Sequence, residues 1–394
     1  MGPLGLGLEQ AQLGKDTPPF IPGLELSRLF YEEAVRPILA SRFPGLSYSA
    51  ARLDCGSDVL GFDTPQSMDH DWGPKLTVFV SEADYQQRQA ILDVLAWGLP
   101  YEIRGYPTNF GGHEGETRWL EPTNKRPVNH GITITTVPGF FQEYVGLDPT
   151  RPISDVAWLG VPQQRLCTVS SGRVFYDGLD RLERARQALA WYPRDTWLYL
   201  LACQWRRIDQ EEPFMARCGD VGDELGSRIV AARLVTELMR LCFLMERQYA
   251  PYFKWFGSAF ARLRCASALA PTFDSVLSSR TWREREAHLC TAYLTAAQLH
   301  NGLGLTPPIE PELKPFYDRP YLVPHSGRFV EALHEAIQSE TVKSLPRYVG
   351  AIGQFVDSTD VLESIEWCRT LAAIYSPSAN LRSSGTASAA RPGR

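Results

Sequence analysis

The chain has 394 residues, 44% of them hydrophobic and 22% charged, which is too long for one ordinary core and too apolar for wholesale disorder or a fibre. Forty Lys and Arg stand against 45 Asp and Glu, a formal net charge of −5. That balance gives no global field for holding a polyanion and disfavours nucleic acid as a partner. The cysteines at positions 55, 167, 203, 218, 242, 265, 290 and 368 form neither a C-x-x-C pair nor a zinc-ribbon spacing, so free thiols are expected. With no basic, then apolar leader and no run of about 18 apolar residues, the expectation is a cytoplasmic protein with no membrane segment.

In chain order, residues 1–22 are rich in Gly, Pro and Leu without a sustained period and are expected to be disordered. Leu26, Leu29, Phe30 and Ile38 then recur near helical spacing, predicting a helix over 24–43 with a kink at Pro37. From 46 to 146 short β-prone runs (SYSAARL, KLTVFV, YEIRGY, GITITTV) surround a helical stretch at 83–97, the texture of a small sheet domain. From 179 onward the pattern is helical, at 179–192, 196–211, 221–247, 254–269 and 280–300, with an extended proline-rich connector at 302–325 and closing helices near 327–340 and 360–375. The expected fold class is therefore α+β: a mixed β-sheet domain over 24–150, a C-terminal α-helical bundle over 151–375, and a disordered tail at 376–394.

The stretch from Asp54 to Val80 concentrates the chemistry. A Gly56-Ser57 turn follows a strand, and its backbone N–H groups and hydroxyl can approach phosphate oxygens without a bulky side chain. Asp69 and Asp71 are two apart, so an extended strand would project both from one face, with His70 and Trp72 on the other. Adjacent carboxylates repel, and a pair of Mg²⁺ ions shared with substrate phosphates relieves that repulsion. The bland alternative is an Asp- and Gly-rich turn whose carboxylates cap backbone N–H groups, and loop shaping is also the preferred role of Asp58 and Asp63.

Gly56-Ser57, eleven intervening residues, then Asp69-His70-Asp71 resembles the signature of the polymerase-beta-type nucleotidyltransferase superfamily. The longer string GSDVLGFD (56–63) followed by SMDHDWGP (67–74) resembles an uncharacterised nucleotidyltransferase-like family, and the likeness continues through RGYPTNF (104–110), HGITITTVPGFF (130–141), VFYDGLDRL (174–182), YAPYFKWFGSAF (249–260) and QFVDSTDV (354–361). The resemblance implies a nucleotidyltransferase-like mixed sheet and transfer of NMP from an NTP, ATP by default, to a small hydroxylated acceptor. Asp69 and Asp71 would hold two Mg²⁺ ions, and Gly56 and Ser57 the phosphates.

Two departures stand out: the residue between the aspartates, usually aliphatic, is His70, and Gly73-Pro74 interrupts the strand. A third carboxylate is expected on a neighbouring strand, yet GITITTV has none. Glu102 is the nearest proposal, with Asp177 and Asp220 as alternatives. Arg104 reads as a phosphate contact or as a salt bridge to Glu102 or Asp71. Arg217 and Asp220 flank a glycine at an expected helix start, where a phosphate could dock, unless Asp220 simply caps the helix. Lys254, in an aromatic-rich turn, reads either as a triphosphate contact or as a surface lysine lying over Tyr252 and Trp255. Arg283-x4-His288 matches a loose ribonuclease spacing that charged helix faces produce readily. A catalytically incomplete nucleotide- or metabolite-binding protein is the competing reading.

Overall fold

A computed structural model describes residues 18–113 and 117–376; the expected tail from 377 and residues 1–17 lie outside the described residues. The chain divides into two units: a sheet unit, residues 18–136 with 172–182, and a helical unit, residues 137–171 with 183–376. The sheet unit is thus completed by a segment that the sequence reading assigned to the helical half.

The sheet unit begins with residues 18–22, which are packed rather than loose. Phe20 stacks on Trp72 at 5.9 Å between ring centroids, and the Tyr106 hydroxyl donates to the Pro19 carbonyl at 3.0 Å. Helices α1 (Gly23–Phe30) and α2 (Arg36–Arg42) follow, joined by a π-helical turn at Tyr31–Val35. Pro37 has no N–H for the regular ladder, and the wider turn just ahead of it takes the place of the expected kink.

Strands β1 (Tyr48–Arg52), β2 (Lys75–Val80), β3 (Gly131–Thr135) and β4 (Arg173–Asp177) form one sheet in the order β3-β2-β1-β4. The β1–β2 and β1–β4 pairs are antiparallel, whereas β2–β3 is parallel and crosses over through α3 (Arg88–Gly98). Side chains alternate along a strand, and Ala50, Val78 and Ile134 fall into one cross-strand row. Together with Leu76, Val80 and Ile132 they pack against Leu26, Phe30, Val35 and Leu39 of the first helices and Ile91 and Leu95 of α3. Each such Val, Leu or Ile side chain contributes about 1.5–3 kcal/mol by leaving water.

In the helical unit the long helices are α4 (Arg194–Glu211), α5 (Glu224–Met245), α6 (Ala266–Ser278), α7 (Trp282–Gly302) and α8 (Gly327–Glu335). Trp205 of α4 stacks on Phe329 of α8 at 4.3 Å and donates its indole N–H to His300 Nδ1 at 3.1 Å. Burial depresses the His300 pKa to about 4, so its ring is neutral and free to accept that bond. The expected single helix at 254–269 is instead a short helix at Phe256–Phe260 followed by α6. Shorter helices went unforeseen, among them Val137–Tyr144, Gln163–Ser171 and Phe214–Asp220. All eight cysteines are free thiols. No helix among the described residues is long and apolar enough to cross a membrane.

Candidate active site

Strand register decides which candidate residues share a neighbourhood. Ala51 of β1 pairs with Thr77 of β2, Lys75 with Gly131 of β3, and Arg52 with Arg173 of β4. The end of β1, the starts of β2, β3 and β4, and the Gly56-Ser57 and Asp69–Pro74 loops attached to them therefore meet at one end of the sheet. Asp177 pairs with Ser49 at the opposite end, where its Oδ1 accepts from the Ser49 hydroxyl at 2.6 Å. It is no third ligand for Asp69 and Asp71.

The Gly56-Ser57 turn is shaped by a buried ion pair. Arg52 and Asp58, each with only 2% of the side chain exposed, meet through Nε to Oδ2 at 2.9 Å and Nη2 to Oδ1 at 3.2 Å. Arg52 Nη2 also donates to the Cys55 carbonyl at 2.9 Å, and the guanidinium pairs with Asp54 as well. The position of Gly56 follows from this: its φ is +152°, and a Cβ there would lie 2.0 Å from Asp58 Oδ1. The turn closes through Phe62 N–H to the Ser57 carbonyl at 2.8 Å. The N–H groups of Gly56, Ser57 and Asp58 donate to no acceptor among the described residues. Asp63 has a shaping role too, accepting from Gly23 N–H at 2.6 Å and Trp72 Nε1 at 3.0 Å.

Asp69 and Asp71 do not lie on a strand. Pro65 opens a 3-10 turn that ends at Asp69, Asp71 takes φ +50°, and β2 starts only at Lys75, past Gly73-Pro74. Proline cannot donate to a ladder, so the strand that would have aligned the two carboxylates cannot form there. Asp69 is 65% exposed, and its Oδ1 accepts from the His70 backbone at 3.0 Å and lies 3.0 Å from His70 Nδ1. His70 is itself exposed rather than set against the core beside Trp72, which is buried. Asp71 is tied across to Arg118: its Oδ1 accepts from Arg118 N–H at 3.1 Å, and its own N–H donates to the Arg118 carbonyl at 2.6 Å. The Oδ2 atoms of Asp69 and Asp71 take no hydrogen bond among the described residues.

Sequence reasoning missed Lys75, which knits this end together. Its ammonium donates to the Asp71 carbonyl at 2.7 Å. Burial lowers its pKa, Arg52 adds to the decrease, and Asp71, Asp58 and Cys55 oppose it, so both loops act on one ammonium. Its signal in the sequence was a lone lysine opening an apolar strand.

The other candidates belong to other elements. Glu102 is exposed on a two-residue strand, Glu102–Ile103, paired only with Tyr106–Pro107 and outside the four-stranded sheet. Arg104, at φ +52°, binds Glu33 rather than Glu102 or Asp71. Asp220 ends the helix Phe214–Asp220 instead of starting one, and the cap of α5 is Asp223, which accepts from Gly226 N–H at 2.8 Å. Exposed Arg217 is consequently in a last turn, where carbonyls rather than N–H groups are free. Lys254 lies 5.1 Å from the Trp255 ring centroid and lines a cavity of the helical unit. Arg283 packs over Trp282, its guanidinium carbon 3.7 Å from the ring centroid, and donates to the Pro320 carbonyl.

No group of three or more His, Cys, Asp or Glu converges as a metal site among the described residues. The chain is similar over residues 158–256, about a quarter of its length, to a domain of unknown function (DUF4037). Neither a curated protein nor a solved structure shows a significant match.

Proposed function

We propose that the protein is a cytoplasmic, Mg²⁺-dependent nucleotidyltransferase of nucleotidyltransferase-like fold, moving NMP, by default AMP from ATP, onto a small hydroxylated acceptor. The observation that carries the reading is the Gly56-Ser57 turn. Three adjacent N–H groups without a protein acceptor form a cradle for phosphate oxygens, and they share a sheet end with Lys75 and Asp71. The residues are compatible with Mg²⁺, which is commonly held by one or two carboxylates together with substrate phosphates rather than by an all-protein cage. Asp69 and Asp71 would hold it through their uncommitted oxygens, where its charge would offset that of the phosphate oxygens. The acceptor oxygen bonds to the α-phosphorus, the bond to the bridging oxygen breaks, pyrophosphate leaves, and the hydroxyl proton passes to a base. Gly56, Ser57 and Asp58 N–H orient the leaving phosphates, and Lys75 adds positive charge beside them.

A catalytically incomplete nucleotide- or metabolite-binding protein is favoured by one observation: Glu102 is outside the four-stranded sheet and Asp177 is at its opposite end, leaving the third acid unassigned. Pyrophosphate release from each NTP, with a pooled set of hydroxylated metabolites and Mg²⁺, separates the two readings. Release above background that Asp71→Asn abolishes supports transfer. Nucleotide binding without release supports the incomplete form.

A further inference from the structure

The helical unit carries an open cavity of about 840 Å³, a volume suited to a metabolite-sized ligand. Its walls carry four cations, Arg207, Arg233, Arg240 and Lys254, against two anions, Glu237 and Asp357. Arg233, Glu237 and Arg240 are four and three residues apart on α5, which sets them on one helix face.

The pairing among these charges is uneven. Arg207 holds Glu237 bidentately, Nε to Oε2 at 2.9 Å and Nη2 to Oε1 at 3.2 Å, and Gln204 also donates to Glu237 Oε2 at 2.6 Å. Burial would raise the pKa of Glu237, but Arg207 and Arg240 outweigh it and hold the carboxyl below its usual range. Gln354 locks this floor by donating to Gln204 Oε1 at 3.0 Å and the Leu200 carbonyl at 3.1 Å. Arg233 is paired with Glu211 at 2.9 Å.

Arg240 is left over. Its side chain is 23% exposed, the nearest carboxylate, Glu237, is 3.6 Å away and already engaged, and its guanidinium makes no hydrogen bond among the described residues. Burial works against its charge, with Arg207 and Arg233 adding to the effect and Glu237 and Asp357 opposing it. An arginine nevertheless stays protonated, so several N–H donors that no group among the described residues engages stand open to an acceptor from solution. Lys254 likewise has no carboxylate partner among the described residues, and Phe253 and Phe355 stand exposed on the same lining.

We infer that this cavity binds a small oxyanion ligand, one bearing at least two phosphate or carboxylate charges beside a flat or apolar part. Arg240 and Lys254 grip the anionic groups, Arg207 and Gln204 are held rigid behind them, and the exposed aromatic side chains meet the rest of the ligand. The inference does not depend on nucleotidyl transfer at the sheet end.

Calorimetric titration of the full chain at fixed ionic strength and without Mg²⁺ tests it, with inorganic phosphate, pyrophosphate, AMP, ATP and citrate as probes. At least one probe should bind with a Kd below about 1 mM. Arg240→Gln should weaken it tenfold or more and Lys254→Gln about threefold, whereas Arg283→Gln, which is not part of the cavity lining, should stay within twofold of wild type. Citrate binding as tightly as the phosphates would assign a carboxylate ligand, and the reverse ranking a phosphorylated one. Binding of no probe, binding that both cavity variants leave unchanged, or binding that Arg283→Gln weakens as much as they do overturns the inference. Should Arg240→Gln unfold the protein, the exposed Lys254→Gln decides alone.

Discussion

Two buried carboxylates, one in each unit, are accommodated in opposite ways. At the sheet end, Asp58 is matched by the two-pronged guanidinium of Arg52. In the helical unit, Glu212 is 4% exposed and has no cation: its Oε2 accepts the Ser326 N–H at 3.1 Å, beside Asp209, which takes the next N–H of the α8 start at 2.9 Å. Burial pushes Glu212 up to about 7, Ser326 opposes the rise, and Asp209 adds to it. A matched pair fixes a loop shape over a wide pH range, whereas an unmatched acid makes its surroundings depend on protons. The cavity is the mirror case, with surplus cations awaiting an external anion.

Breaking the matched pair should have the largest effect. Asp58→Ala leaves Arg52 buried without its bidentate partner and should destabilise the protein by about 3–5 kcal/mol in urea unfolding. An unchanged midpoint would mean that Asp54 and the Cys55 carbonyl suffice for Arg52. Next is the unmatched acid. The folded pKa of Glu212 is above its unfolded value, so its contribution to stability is complete below about pH 4.5 and is lost as pH rises through about 7. Glu212→Gln, which can still accept from Ser326, should gain roughly 2–3 kcal/mol on wild type between pH 5 and 8. A pH-independent difference would place Glu212 in a wetter site. The third change sharpens the sheet-end side: Gly56→Ala must displace Asp58 or strain a φ that side chains avoid, costing about 1–3 kcal/mol in the same unfolding measurement.

The course of the chain was legible wherever a period ran without interruption. KLTVFV and GITIT became β2 and β3, and α4, α5 and α7 fall on their helical patterns. The Asp58 and Asp63 loop roles also agree with the reading that preferred them. The sequence reading failed where single residues override a period. Asp69 and Asp71 satisfy strand alternation, but Pro65 and Pro74 bracket them and turn that stretch into a 3-10 turn and a bend. Position 220 read as a helix start because Asp and Gly suit a cap, yet Asp223 meets the same requirement three residues later. The cavity was illegible for another reason: Arg233, Glu237 and Arg240 have the spacing of an ordinary solvated helix face, and only the Glu237 bonds to Arg207 and Gln204, from another helix, show that Arg240 goes without an acceptor.

Transfer of the α-phosphoryl group of ATP, labelled there and followed into acceptor adducts in the presence of Mg²⁺, tests the central claim most directly. Wild type should form a labelled adduct, and the double variant Asp69→Asn with Asp71→Asn should form it at least about a hundredfold more slowly. Asp69 is 65% exposed and Asp71 50%, so the melting temperature of that variant should hardly change. Undiminished transfer by the double variant, or ATP binding that it leaves intact alongside no adduct in either protein, would contradict the account.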